Sequence, residues 1–234
     1  LIGEDGVKKL AGSHVLVVGL GGVGAYAAEQ LARAGIGTMT IIDSDTVNVT
    51  NKNRQLLALD STLGRPKVDV MADRIRDINP EINVIPINQY LKDQSIIDLM
   101  AQPFDFIVDA IDTLAPKVFL LYYAVQNKQK IVSCMGAGGK FNPEMIQITD
   151  ISKSYNCRLA FYIRKRLHRL GIREGITVVF SPEKVADTAF TIDEEQTDNK
   201  IATVGTISYM PAVFGCFCAS YVINALLSSC DQEH

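Results

Sequence analysis

A glycine-rich run, GLGGVG at residues 19–24, lies between a Val-rich stretch and an Ala/Leu-rich one. Gly19, Gly21 and Gly24 fit the spacing G-x-G-x-x-G, and Gly22 adds a fourth glycine. In that spacing the first glycine makes a tight turn, the second lets the backbone approach a phosphate, and the third allows close helix–strand packing. The helix that follows points free N–H groups and partial positive charge at an anion. Asp43 comes 19 residues after Gly24, at the end of the next apolar run, where a carboxylate can hold ribose hydroxyls. The chemistry these residues predict is nucleotide binding.

NAD or FAD is the usual ligand of this fingerprint, but the residues beyond Asp43 argue for ATP. Asp45, Asn51, Asn53, Arg54 and Gln55 follow in DSDTVNVTNKNRQ, and Lys67 ends GRPK. A dinucleotide does not need an arginine and a lysine just past its ribose acid. A triphosphate does, because both cations can neutralise phosphate oxygens as pyrophosphate leaves. Asp112, in DAID, falls at the carboxyl edge of a predicted strand, where ligands of such sheets bind. A carboxylate there suits Mg²⁺, which takes one or two carboxylates together with substrate phosphates. The predicted catalytic set is therefore Arg54, Lys67 and Asp112, acting on Mg·ATP.

The elements that must position these groups alternate. Predicted strands are 14–19 (HVLVVG), 38–43 (TMTIID), 83–87, 104–110 (FDFIVDA) and 130–135; predicted helices are 25–35, 67–79, 95–100 and 117–127. Alternating strands and helices predict an α/β fold, a Rossmann-like, doubly wound, mostly parallel sheet. After Met135 the pattern changes. GAGGK at 136–140 is a glycine-rich turn, 145–149 and 176–181 are strands, and 159–170 is an amphipathic helix with Leu159, Ile163, Leu167 and Leu170 on one stripe. The acidic stretch 182–200 is expected to be a mobile loop. The chain is expected to be one domain, with residues 1–140 binding nucleotide and 141–234 forming a substrate-binding and dimerisation part that extends the fold with antiparallel strands and helices.

Composition sets outer bounds. The chain has 234 residues with a net charge of −3, so no global field draws it to nucleic acid or membrane, and any such contact must be a local patch. Its five cysteines include no C-x-x-C pair, which predicts no zinc site and a reducing, cytoplasmic setting. No residue from 201 to 230 is charged, but Pro211, Gly205, Gly215 and Asn224 dilute the run. A buried or dimer-contact helix is expected there rather than a membrane-associated one.

GLGGVG, IIDSDTVNVTNKNRQ, GRPK, INPEINV and DAID together resemble the ubiquitin-activating-enzyme-like superfamily of adenylyltransferases, in order from about 12 to 140. The resemblance implies ATP-dependent adenylation of a carboxylate. Gly19, Gly21, Gly22, Gly24, Asp43, Asn51, Arg54, Gln55 and Lys67 would bind ATP, and Asp112 would hold Mg²⁺. The sulfur-carrier-activating members usually carry two C-x-x-C zinc pairs, which are missing here. Instead MGAGGKFNPEMIQITDISKS, LAFYIRKRLHRLGI and GITVVFSPE look like the tRNA threonylcarbamoyladenosine dehydratase branch, also described as HesA/MoeB/ThiF. That branch implies cyclising dehydration of threonylcarbamoyladenosine in tRNA, a homodimer, and a cysteine-desulfurase or sulfur-acceptor partner. The rival within the superfamily is activation of the C-terminus of a small ubiquitin-like sulfur carrier. Two departures stand out. The family's arginine upstream of the motif read here as LIGEDG has no assigned counterpart, and its Asp-Pro before the basic helix is Cys157-Arg158.

The residues themselves speak to an RNA substrate. Between 152 and 173 stand Lys153, Arg158, Arg164, Lys165, Arg166, Arg169 and Arg173, with no acid among them. The first six are the predicted RNA contacts, each adding salt-dependent affinity for phosphate. Tyr155 and Tyr162 offer stacking faces. A solvated basic helix face is the competing reading. Cys157 has a polar, basic sequence setting that favours a thiolate, but intramolecular ring closure needs no thioester, so no catalytic role is assigned to it.

Overall fold

The computed structural model describes residues 1–186, 189–192 and 202–228. Strand β1 (His14–Val18) sends Val15 and Val17 into one apolar cluster and Leu16 and Val18 into another. A parallel strand covered on both faces reads as such a continuous apolar run, with successive side chains on opposite sides. Helices α1 (Gly3–Ala11), α2 (Gly24–Arg33), α3 (Lys67–Ile78) and α7 (Tyr209–Ser228) cover the first face. Helices α4 (Gln94–Met100), α5 (Leu114–Gln126) and α6 (Arg158–Arg169) cover the second.

The sheet has seven strands in the order β3-β2-β1-β4-β5-β7-β6. These are β2 (Thr38–Asp43), β3 (Asn83–Asn88), β4 (Phe106–Asp109), β5 (Ile131–Cys134), β6 (Gln147–Asp150) and β7 (Thr177–Phe180). All neighbours are parallel except β6 and β7. The α/β, mostly parallel expectation holds. The second half of the chain does more than append antiparallel strands, because β7 pairs parallel with β5 and carries the sheet on. The order reverses between β1 and β4, so the crevice at the carboxyl ends of those strands is where a ligand of this architecture lies.

Four readings of the sequence change. Helix α1 was not expected; its Leu10 is fully buried in the core, and the helix lies against α7. The stretch 182–200 is not all loop, because β8 (Phe190–Ile192) pairs antiparallel with β9 (Ala202–Val204). Residues 187–188 and 193–200 lie outside the described residues. Leu170 is not part of the buried stripe of α6; it follows the helix as its C-cap and is exposed. The uncharged run 201–230 divides into β9 and α7. Helix α7 is long and apolar enough to cross a membrane, yet Met210, Phe214, Cys218, Val222 and Leu226, four residues apart, sit in the core. It lies hard against α2, since a Cβ on Gly215 would stand 2.5 Å from the Val23 carbonyl oxygen.

Candidate functional site

The glycine run folds as the turn from β1 into α2, and its glycines have different reasons to be glycine. Gly19 has φ +89°, and a Cβ there would lie 2.7 Å from the Ala110 carbonyl oxygen at the end of β4. A Cβ on Gly24 would fall 1.7 Å from the Gly19 carbonyl oxygen, so the turn cannot close around any side chain. On Gly22 it would meet Pro211 of α7 at 2.9 Å. Gly21 differs: the nearest atom to its Cβ would be the Gln55 amide nitrogen, 3.8 Å away. The protein leaves that space open on the cavity side, which is where a phosphate would meet the backbone. Gly21→Val is therefore expected to fold with an unchanged Tm while losing at least about tenfold in ATP affinity, roughly 1.4 kcal/mol, by titration calorimetry. Unchanged affinity would remove Gly21 from the phosphate cradle.

Asp43, at the end of β2, braces this turn. Its Oδ2 accepts the Leu20 N–H at 2.6 Å and its Oδ1 accepts the Asp45 N–H at 2.8 Å. The residue is half-buried and lines a cavity of about 310 Å³ beside the turn. Gly19, Gly21, Asp45, Asn51, Arg54, Gln55, Lys67 and Asp112 line the same cavity. Nine of the predicted residues thus converge. Gly22 faces an adjoining chamber instead, and Gly24 supports the turn from beneath. The cavity also takes Gln89, Tyr90 and Leu91 after β3, with Val18, Ile42 and Pro116 as apolar walls. The rule that ligands sit at strand carboxyl ends was a signal for residues 89–91 that the sequence reading did not use.

Lys67 opens α3 with only 4% of its surface exposed, and its Nζ lies 2.7 Å from Asp45 Oδ2. Its backbone N–H also donates to the Asp45 carbonyl at 2.9 Å. Lys67 therefore already has an anionic partner and would have to share it with a phosphate. Arg54 has none among the described residues. Its Nη1 donates to the Thr50 carbonyl at 3.1 Å and to Asn53 Oδ1 at 2.8 Å. The turn that carries it is self-braced: Asn51 Oδ1 accepts the Asn48 N–H, and Asn48 Oδ1 accepts the Thr50 N–H, each at 3.0 Å.

Beneath Asp112 lies an ion pair with no exposure at all. Lys117 Nζ stands 2.8 Å from Asp109 Oδ2 and donates to the Ile111 carbonyl at 2.9 Å. Ser133 Oγ donates to Asp109 Oδ2 at 2.6 Å, and Asp109 Oδ1 accepts the Ile111 N–H at 3.1 Å. The segment from Ala110 to Asp112 is thereby fixed along the mouth of the cavity.

A second chamber of about 760 Å³ adjoins the first. Gly21, Arg54, Gln55, Asp112 and Thr113 line both. Its far wall comes from the glycine-rich turn after β5, the start of α6 and the segment after β9: Gly138, Lys140, Cys157, Arg158, Tyr162 and Thr206. Cys157 is buried, packing into the apolar cluster beneath α6 while also lining the chamber beside Lys140 and Arg158. Cys134, Cys157, Cys216 and Cys218 are free thiols; Cys230 lies outside the described residues.

The basic residues divide into two groups. Arg164 is half-buried, with Nη1 donating to the Ser154 carbonyl at 2.6 Å and to the Ser154 hydroxyl. Through Nη1 it ties α6 to the turn before it, a bracing role that its place in the basic run does not announce. Lys153, Arg158, Lys165, Arg166 and Arg169 are exposed. On α6, Arg158, Tyr162, Lys165, Arg166 and Arg169 recur at helical spacing on the face opposite the buried Ala160, Ile163 and Leu167. Arg158 caps this ridge at the chamber, its guanidinium 5.9 Å from the Tyr162 ring centre.

The chain is similar to known proteins over nearly its whole length. A Bacillus subtilis (strain 168) tRNA threonylcarbamoyladenosine dehydratase is 37% identical over 97% of this chain and 91% of its own length. The protein of the same name from Escherichia coli (strain K12) is 35% identical over 100% of this chain and 93% of its own. The crystal structure of the E. coli enzyme in complex with ATP superposes with a TM-score of 0.90, covering 99% of this chain and 93% of that one at 35% identity. The family model described as "ThiF family" matches residues 1–234, the whole length over which the glycine turn, the arginine beyond β2 and the second chamber are built, and the chain belongs to that family.

Proposed function

We propose that this protein adenylates the threonyl carboxylate of threonylcarbamoyladenosine in tRNA and then closes it into a ring with net loss of water. The observation that carries this reading is the shared wall between the two chambers, formed by Gly21, Arg54, Gln55 and Asp112. A nucleotide bound over the glycine turn with its ribose at Asp43 brings its α-phosphate to that wall. A carboxylate in the second chamber reaches the same wall from the other side. Its oxygen attacks the α-phosphorus, the bond to the β-phosphate oxygen breaks, and pyrophosphate leaves. Arg54 and Lys67 stabilise the charge that develops on the phosphate oxygens. A nitrogen of the substrate then attacks the acyl carbon, and AMP departs as the ring closes. Holding both reactants in one enclosure supplies much of that second step.

Asp112 is the group we assign to Mg²⁺. Among the described residues no three His, Cys, Asp or Glu side chains cluster to hold a metal. One exposed carboxylate beside the phosphate cradle fits an ion whose other ligands are phosphate oxygens and water. When bound, Mg²⁺ would neutralise phosphate charge.

The basic ridge of α6 supports RNA as the carrier of the substrate. It starts at the chamber with Arg158 and ends at Arg169, about 16 Å along the helix. Alanine at Lys165 or Arg169 is expected to weaken tRNA binding and to lower the log–log salt slope by about 0.7 to 0.9 for each lost phosphate contact. Arg164→Ala is expected to lower Tm instead. If the Lys165 and Arg169 variants leave the slope unchanged, the ridge is only solvated. The reading extends to a homodimer, to a cytoplasmic setting and to a cysteine-desulfurase or sulfur-acceptor partner; the uncharged face of α7 supports the first. The deciding experiment is incubation with ATP, Mg²⁺ and threonylcarbamoylated tRNA, followed by mass spectrometry of the nucleosides. A nucleoside lighter by one water is expected. Pyrophosphate exchange stimulated by a small sulfur-carrier protein, and not by the modified tRNA, would overturn the reading.

A further inference from the structure

Lys140 is 3% exposed, lines the second chamber, and makes no ion pair among the described residues. Its Nζ donates to the Asn156 carbonyl at 3.2 Å and to the Glu183 carbonyl. Both partners are neutral. The carboxylate of Glu183 is engaged elsewhere, accepting the N–H groups of Phe141 and Asn142 at 2.8 and 2.9 Å. The backbone holds the residue there tightly: Gly139 before it has φ +69°, and a Cβ on it would lie 2.4 Å from Val185.

The second stage of the proposed reaction leaves a proton to be removed. The attacking nitrogen carries a hydrogen; as its bond to the acyl carbon forms and the bond to AMP breaks, that hydrogen must go to a base. Asp112 and Arg54 stand on the phosphate side of the chamber, and Arg158 is a permanent cation. Cys157 lies in an apolar cluster. We propose that the Lys140 amine is that base, accepting the nitrogen-bound proton as the substrate closes its ring. This inference rests on the dehydratase reading.

The donor count fits the neutral form. A neutral amine has two N–H groups and one lone pair. The two carbonyl acceptors, of Asn156 and Glu183, match those two hydrogens, and the lone pair then has no partner among the described residues. Burial pulls the Lys140 pKa below its ordinary lysine value, and Cys157 and Glu183 pull the other way without cancelling that effect. The further ionisable groups around the chamber are Asp112, Arg54, Arg158 and Tyr162. Once protonated, the ammonium returns its proton to water as product leaves, so the cycle balances with AMP, pyrophosphate and the ring as products.

The test separates the two stages with the full-length chain. Pyrophosphate exchange stimulated by threonylcarbamoylated tRNA reads adenylation, and single-turnover mass spectrometry reads ring closure. Lys140→Gln keeps two N–H donors for the two carbonyls but has no basic lone pair. It is expected to exchange pyrophosphate within about threefold of the unmodified protein and to close the ring about 10²-fold more slowly or worse. The unmodified protein's ring-closure rate is expected to rise with pH as Lys140 loses its proton, and the Lys140→Gln rate is expected to lose that rise. Lys140→Arg keeps the cation and is expected to stay slow. Restoration of ring closure by arginine would show that a positive charge suffices and would overturn the proposal. Equal loss of exchange and ring closure in both variants would also overturn it, by making Lys140 a strut between residues 156 and 183. Absence of tRNA-stimulated exchange in the unmodified protein would instead sink the dehydratase reading itself.

Discussion

Arg54→Ala is expected to lower the rate of adenylation by about 10² to 10³, a loss of roughly 2.7 to 4 kcal/mol of transition-state stabilisation. The size follows from how the residue is held. Its Nη1 is braced by the Thr50 carbonyl and Asn53 Oδ1, and Asn53 in turn donates to the Thr206 carbonyl at 3.1 Å. The guanidinium is thus oriented before any ligand arrives and faces both chambers. Preorganised charge of this kind needs no rearrangement as phosphate charge develops. Lys67 is different. Its pairing with Asp45 offsets part of its charge until a phosphate takes over, so Lys67→Ala should show up more in ATP affinity and less in the rate of the bound complex. Arg54→Lys should not rescue, because an ammonium on a flexible stem cannot satisfy two fixed acceptors and still present a planar fork. Titration calorimetry gives the affinity and single-turnover pyrophosphate release gives the rate. An Arg54→Ala protein with an unchanged rate would remove that residue from the reaction.

The nucleotide half was legible because its signals are local. Gly19, Gly24 and Asp43 sit at fixed offsets within one βαβ unit, and the period of the apolar runs announces the strands. Arg54, Lys67 and Asp112 could be placed at one sheet edge because each follows a strand or opens a helix there. What the sequence withheld is pairing over distance. Nothing in the spacing of Asp45 and Lys67 says that they pair with each other. Arg164 reads as one more exposed cation, and only the fold turns it back onto Ser154. The second chamber is assembled from residues near 22, 112, 140, 157 and 206, which no window of sequence contains. The parallel pairing of β7 with β5 was hidden for the same reason: a period tells what a strand is, not which strand lies beside it.

Asp109 and Lys117 make the strongest case for a residue pair whose importance only the structure reveals, and their loss is expected to be costly. Asp109→Ala or Lys117→Met leaves one charge fully buried without its partner, a change that destabilises by about 3 to 5 kcal/mol. For a domain of this size that is a fall in Tm of roughly 6 to 20 °C by differential scanning calorimetry. A buried ion pair is weak evidence for stability as such, because an apolar replacement of the whole set often does as well. Replacing the set together, Asp109→Val with Lys117→Met and Ser133→Ala, should therefore recover most of the lost Tm. It should not recover ATP binding. In the native protein Lys117 Nζ holds the Ile111 carbonyl and Asp109 Oδ1 holds the Ile111 N–H, so both backbone groups of the residue before Asp112 are pinned. Apolar side chains fill the space but offer neither bond, and the segment is freed at the mouth of the nucleotide cavity. A triple variant that is stable and still binds ATP like the unmodified protein would mean that Asp112 is positioned by the glycine turn alone. A stable variant that has lost ATP would mean that the pair is retained for the geometry of that loop rather than for the stability of the fold.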